Sequence, residues 1–192
     1  MNLFLQGPIC VGKSTILRNT LLPYEQNISG LVIQRLFEDG VPCGFRACTV
    51  NGALPALEGI YTQELKGVFL YKGQSFPEVL EHAARKALEL CSAERCQMII
   101  LDEIGGLELF SSAFMLSVHT MLRLNKPCIG VIKSHENLAH TARRLNLPAD
   151  ILDLRDTLQQ ELESKGRVVT VTPKTHSQTA ALVNGFVKKA FL

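Results

Sequence analysis

At ~150 residues per domain, a chain of 192 residues is expected to form one domain spanning 1–192. Its 46% hydrophobic and 20% charged residues exclude a disordered, collagen-like or coiled-coil protein. A net charge of +2 without any block of like charge lacks the basic field of a non-specific nucleic-acid binder, so no nucleic-acid partner is expected. No apolar run approaches the ~18 residues of a spanning helix, and Asn2 to Gln6 is too short and uncharged for a signal peptide. No membrane partner is expected, and the sequence reads as cytoplasmic. The six cysteines (Cys10, Cys43, Cys48, Cys91, Cys96, Cys128) form no C-x-x-C pair and read as reduced, buried thiols.

Apolar runs of strand length alternate with segments of helical period, the pattern of an α/β fold around a mainly parallel sheet. Leu3-Phe4-Leu5 is a continuous run, as expected of a strand covered on both faces. After a glycine-bounded loop, Ile16, Leu17, Thr20 and Leu21 share one helical face up to Pro23. Leu31-Val32-Ile33 and Phe45 to Val50 flank the turn residues Glu38-Asp39-Gly40, which predicts a β-hairpin inserted after the first helix. Asn51-Gly52 signals another turn, and Lys66 to Tyr71 one more strand. Ser75 and Glu78 have capping-box spacing before an apolar stripe from Val79 to Cys91, with Glu81 and Arg85 spaced for a surface ion pair. Met98 to Leu101 then reads as a buried strand, and Ser111 to Leu124 as a helix with Phe114, Val118, Met121 and Leu122 inward. A strand at Pro127 to Ile132 and a helix from about Glu136 to Leu145 follow. Asp150 to Leu154 suggests a short strand, Asp156 a helix cap, and Gly166 the end of that helix. Arg167 to Thr172 alternates as a strand, and Ser177 to Ala190 closes the chain as a helix with Leu182, Phe186 and Val187 inward.

Gly7-Pro8-Ile9-Cys10-Val11-Gly12-Lys13-Ser14 fits G-x-x-x-x-G-K-[ST], a loop whose backbone amides wrap the phosphates of a nucleotide. Its place between an apolar strand and a helix is where such a loop must lie to work. Glycines let the chain turn and approach an anion, while the helix starting near Lys13 aims free amides and its positive dipole end at the same spot. Lys13 is assigned to the β- and γ-phosphates, the Ser14 hydroxyl to Mg²⁺, and Thr15 to the neighbourhood of the α-phosphate. The ligand implied is a nucleoside triphosphate such as ATP or GTP.

Met98 to Glu103 is an apolar strand ending in two carboxylates, at the sheet edge where doubly wound folds bind ligands. Asp102 is placed to hold the metal and Glu103 to orient or deprotonate an attacking water. Lys133, Ser134 and His135 follow the next strand, where one of them could touch the γ-phosphate. Arg143 and Arg144 fit either an arginine finger supplied in cis or, the preferred reading, charges on an exposed helix face. His135, Glu136 and His140 do not make a zinc site, because an i,i+5 spacing turns the second ring ~140° away from the first.

Gly7 to Ser14, Asp102-Glu103-Ile104-Gly105-Gly106-Leu107-Glu108-Leu109 and the spacing of Gly30, Gly40 and Gly44-Phe45 together resemble the small nucleoside-triphosphatase family of thermophiles and the human cancer-related enzyme. Leu107 replaces the methionine of that family's D-E-I-G-x-M-E-L stretch. The resemblance implies a three-layer, RecA-like P-loop NTPase core, Mg²⁺-dependent hydrolysis of ATP, GTP and related nucleotides, slow turnover and broad base tolerance. Four polar positions of the family's glycine-spaced segment are here Ile33, Arg35, Phe37 and Pro42, and Cys10 stands where the loop commonly has a small residue. These departures put turnover in question more than binding. A nucleotide-binding regulatory module is therefore the rival reading, and a small-molecule kinase the third. Phe37 fits either a partner surface or a covered hairpin.

Overall fold

The computed structural model describes residues 1–192. In chain order the elements are β1 (Asn2–Gln6), α1 (Lys13–Leu21), β2 (Ile28–Glu38), β3 (Val41–Asn51), β4 (Glu58–Ile60), β5 (Val68–Tyr71), β6 (Gln74–Ser75), α2 (Pro77–Ser92), β7 (Met98–Ile104), α3 (Ser112–Arg123), β8 (Cys128–Ile132), α4 (His135–Leu145), α5 (Asp150–Ser164), β9 (Gly166–Thr170) and α6 (His176–Ala190). All nine strands join one sheet in the order β6-β5-β3-β2-β7-β8-β1-β9, with β4 added to β2. The central strands β2, β7, β8, β1 and β9 run parallel, and β3, β5 and β6 extend the sheet antiparallel.

Burial follows the continuous apolar runs. Phe4, Leu31, Ile99 and Leu101 face a core shared with α2, α3, α4 and α5, while Leu3, Leu5, Val32 and Ile100 face a second core shared with α1 and α6. The result is three layers, helices on both faces of the sheet, as parallel strands require. Strand β8 lies between β1, which carries the loop, and β7, which carries the acidic pair.

The hairpin of β2 and β3 is an integral part of the sheet. Ile28 to Val32 pair with β7, and β2 then runs six residues further, where Arg35 to Phe37 pair with β4. Buried Gln34 secures that second half by donating to the carbonyls of Ala56 at 2.7 Å and Glu58 at 3.1 Å. Phe37, whose backbone pairs with Ile60 of β4, is half-buried, which favours the covered hairpin.

Several local expectations fail for identifiable reasons. Asp150 to Leu154 is the first part of α5, not a strand, and Asp156 lies inside that helix rather than capping it. Ile151, Arg155, Leu158 and Leu162 form its buried stripe, a period that five residues are too few to reveal. Ser75 caps nothing: it pairs with Leu70 in β6, and α2 starts at Pro77, whose fixed φ suits a first helical position. Glu81 accepts a hydrogen bond from the Ser111 hydroxyl at 2.6 Å instead of pairing with Arg85. In α6, Val183 occupies the core position expected of Leu182, which is 36% exposed. The cysteines are all free, but only Cys91, Cys96 and Cys128 are buried, while Cys10 is exposed.

The α5 stripe can be tested by urea denaturation of two alanine variants. Leu158→Ala removes a buried side chain and is expected to cost about 2–5 kcal/mol. Leu154→Ala, at an exposed position, is expected to stay within about 0.5 kcal/mol of the wild type.

Candidate active site

The loop between β1 and α1 has the conformation that its glycines permit. Gly7 and Gly12 sit at φ 136° and 90°, and a Cβ at Gly7 would come within 2.3 Å of the Val171 carbonyl oxygen. At Gly12 the obstacle is the His176 imidazole, 2.8 Å from the same hypothetical atom. Cys10 adopts φ 61°, a left-handed conformation costing a side-chain-bearing residue roughly 1–2 kcal/mol. Gly12 is the N-cap of α1 and offers no side chain, and no acidic residue stands in the first helical turn. The amides at this helix end therefore have no competing protein anion and are available to a phosphate. Pro8, Ile9 and Cys10 are exposed, Val11 is half-buried, and Thr15 faces solvent one turn into the helix.

Lys13 is only 8% exposed, and its ammonium donates to the carbonyls of Gly7 at 3.0 Å and Pro8 at 2.7 Å. Burial lowers its pKa from the ordinary 10.5, opposed by the negative charges of Glu103 and Asp102. The carboxylate pair thus reaches the same space as the loop lysine. Ser14 makes the junction direct: its hydroxyl donates to Asp102 Oδ1 at 3.0 Å, across the intervening strand β8.

Asp102 ends the buried part of β7 and is 5% exposed. Burial pushes its carboxyl up to about 7, the neighbouring Glu103 pushes the same way, and the Ser14 hydrogen bond and Lys13 charge oppose them. The β7–β8 register shifts between Asp102 and Ile104, so Glu103 falls out of the ladder and is half-buried. A bulge of this kind redirects a side chain at a strand end. Glu108, in the turn that follows, is held by the Gly106 amide at 2.7 Å, and burial raises its carboxyl despite the nearby charge of Lys133.

Other candidates separate clearly. Lys133 is half-buried and its charge is felt by both Lys13 and Glu108, which brings it into the site. Ser134 is buried as the N-cap of α4, its oxygen accepting from the Asn137 amide at 3.3 Å. His135 Nδ1 lies 3.4 Å from Asp156 Oδ2. Arg143 and Arg144 lie exposed in the last turn of α4, at the opposite end of that helix from Ser134. Ile33, Arg35 and Phe37 lie in the part of β2 that continues past its last pair with Asp102, where Arg35 to Phe37 pair with β4, and exposed Pro42 is on the returning strand.

Sequence reasoning missed three contributors. Asn137 donates from its side-chain amide to the Gly7 carbonyl at 3.1 Å, a contact between distant segments that no local pattern announces. His176 packs against Gly12 from the start of α6. Arg155 is 2% exposed beneath the site, and the helical period of its segment was the available signal.

An anion cradle at the first strand–helix junction, facing an acidic strand end across one intervening parallel strand, defines a P-loop nucleotide-binding fold. The sequence profile of the NTPase family matches residues 2–151, and the chain belongs to that family. A mouse protein named cancer-related nucleoside-triphosphatase homolog is 29% identical over 131 residues, covering 63% of this chain and 68% of the relative. Nucleoside-triphosphatase THEP1 of Methanopyrus kandleri is 27% identical over 179 residues, or 88% and 93% of the two chains. The crystal structure of THEP1 from Aquifex aeolicus shares the fold with a TM-score of 0.53 and 22% identity, covering 95% of this chain and 96% of that one.

The raised Asp102 carboxyl makes folding take up a proton between its ordinary 3.8 and about 7. Stability therefore falls as pH rises through that window, because the unfolded chain has released a proton that the native one retains. Asp102→Asn removes this liability. The variant is expected to exceed the ligand-free wild type by up to about 4 kcal/mol near pH 8, with the gap closing toward about pH 4. Urea titrations across that range check it; a pH-independent gap refutes the assignment.

Proposed function

We propose that the protein hydrolyses nucleoside triphosphates, ATP and GTP among them, to the diphosphate and phosphate. The Ser14–Asp102 hydrogen bond carries this reading, because it joins the phosphate-binding loop to the carboxylate strand in one polar cluster containing Lys13. The nucleoside-triphosphatase names of its relatives support it.

The loop amides and the N-terminal end of α1 hold the phosphates. Lys13 exchanges its two carbonyl acceptors for β- and γ-phosphate oxygens, and Asn137 keeps the Gly7 carbonyl partnered when it leaves. Lys133, whose charge acts on both Lys13 and Glu108, adds positive charge. Glu103, freed from the strand ladder, accepts a proton from the water that attacks the γ-phosphorus, while the bond from that phosphorus to the bridging oxygen breaks and its electron pair leaves with the diphosphate.

The donor set fits Mg²⁺: a hydroxyl and a buried carboxylate that lacks a bonded cationic partner offer hard oxygen ligands, and Mg²⁺ takes one or two such groups plus phosphate oxygens and water. Ser14 and Asp102 would hold it, and its chemistry would be to neutralise charge developing on the phosphate oxygens. No group of three or more His, Cys, Asp or Glu side chains is arranged as a protein-only metal cage, which this ion does not need.

We expect slow turnover and broad base tolerance. The β2 extension carries Ile33 and Phe37, with Arg35 as the cation among the departing positions, and the sequence contains no guanine-reading N-K-x-D segment. No helix is long and apolar enough to cross a membrane, and six free thiols suit a reducing compartment, so we place the protein in the cytoplasm.

Phosphate release from ATP, GTP, CTP and UTP with Mg²⁺, beside nucleotide affinity, tests the reading. Lys13→Ala is expected to weaken binding by about two orders of magnitude or more. Glu103→Gln should keep affinity within a few-fold and lower kcat by about 10²–10⁴-fold. Wild-type affinity without turnover above the Lys13 variant would make the protein a regulatory binder, and label transfer to an organic acceptor would make it a kinase. Chelating Mg²⁺ should abolish release, and Mg²⁺ affinity should rise with pH through about 7 as Asp102 ionises.

A further inference from the structure

The buried stripe of α5 reads Ile151, Arg155, Leu158, Leu162, with one charge among aliphatic residues. A hydrocarbon would suit that position, since a buried ion costs several kcal/mol unless its hydrogen bonds are satisfied. Arg155 meets that condition with backbone and side chains of the strand ends below the proposed phosphate site. Its Nε donates to the Lys133 carbonyl at 2.8 Å and its Nη2 to Gln6 Oε1 at 2.6 Å. Nη1 donates to Asp156 Oδ1 at 3.0 Å and Gln159 Oε1 at 2.5 Å, which hold the guanidinium to its own helix.

The two arms that leave the helix end at the edges of the phosphate site. Gln6 is the last residue of β1 and immediately precedes Gly7, and its own amide nitrogen reaches Thr170 Oγ1 of β9 at 3.4 Å. Lys133 directly follows β8, and its amide donates to the Ile104 carbonyl of β7 at 2.8 Å. Arg155 is therefore the centre of a chain of hydrogen bonds running β9–β1–Arg155–β8–β7 along the carboxyl edge. Beyond Lys133, Ser134 caps α4 and Asn137 returns to the Gly7 carbonyl at 3.1 Å, which closes the circuit around the loop.

We propose that Arg155 is a positioning residue: its buried guanidinium ties the ends of β1 and β8 together, so that the Gly7 loop and Lys133 face one and the same phosphate. This rests on the nucleotide-hydrolysing reading of the site. It assigns the residue no contact with the nucleotide. Its effect falls on the arrangement that the transition state needs, more than on overall phosphate binding.

Arg155→Met fits the aliphatic stripe, and Arg155→Lys keeps the charge but cannot span both strand ends with a planar fork. The folded Met variant is expected to bind a fluorescent ATP analogue within about threefold of wild type and to release phosphate about tenfold more slowly or worse, without rescue by Lys. In a Lys133→Met background the same substitution should cost less than about threefold, because the ammonium it positions is already gone. In the ATP-bound state, the amides of Gly7, of residues 9–14 and of residues 133–138 should exchange faster in both Arg155 variants. A purely structural role would shrink the active fraction equally in both backgrounds, so additive losses overturn the proposal, as do wild-type kcat and exchange in either variant. If Arg155→Met does not fold, Gln6→Ala and Arg155→Lys supply the same comparison. A wild type that binds ATP without turnover overturns the hydrolase reading. The exchange experiment then decides this one: faster exchange at both segments upholds it, and unchanged exchange rejects it.

Discussion

The Ser14–Asp102 hydrogen bond depends on a constraint larger than itself. A loop on β1 and an acid on β7 are separated by β8, so their backbones stand two strand spacings apart, roughly 10 Å. Only the first turn of α1, leaning over the carboxyl edge of the sheet, brings a hydroxyl within 3.0 Å of the carboxylate. That lean depends in turn on Gly7 and Gly12, whose conformations let the loop pass against Val171 and His176. Strand order, loop geometry and helix placement therefore meet in one contact.

The edge of the sheet is also where the protein keeps its buried charged side chains. Lys13, Asp102 and Arg155 are all buried there. Their states differ instructively. Arg155 is fully engaged by neighbouring acceptors, Lys13 leans on two loop carbonyls, and Asp102 has a single hydroxyl partner. The guanidinium has its bonding capacity taken up, whereas the other two have some left. Buried charge with few partners lowers stability, a common physical cost of preorganisation at sites of chemistry.

The hairpin connects this edge to what is individual about the chain. β2 runs six residues beyond Val32, its last partner of β7, and Gln34 and the short strand β4 hold that extension in place. Of the departing positions on it, Ile33 and Phe37 are apolar and cannot stabilise charge, whereas Arg35 is a cation.

Much of this was legible in order of sequence. The glycine-lysine-serine spacing, the acidic strand end and the alternation of strands and helices are short-range signals, set by backbone conformation and by burial on both faces of a parallel sheet. Where the window was short or the partner remote, the reading failed: five residues from Asp150 could not show a helical period, and Ser75 was claimed by strand pairing with Leu70 before it could cap a helix. The sequence by itself determined the glycine-bounded turn between β1 and α1 and the lysine and serine that open the helix, because such a turn is built from neighbours in the chain. Only the tertiary structure decided that Asp102 meets Ser14, that Asn137 meets Gly7 and that Arg155 ties two strand ends. Those contacts span 88, 130 and up to 149 residues, and their partners are chosen by strand order and packing rather than by any local preference.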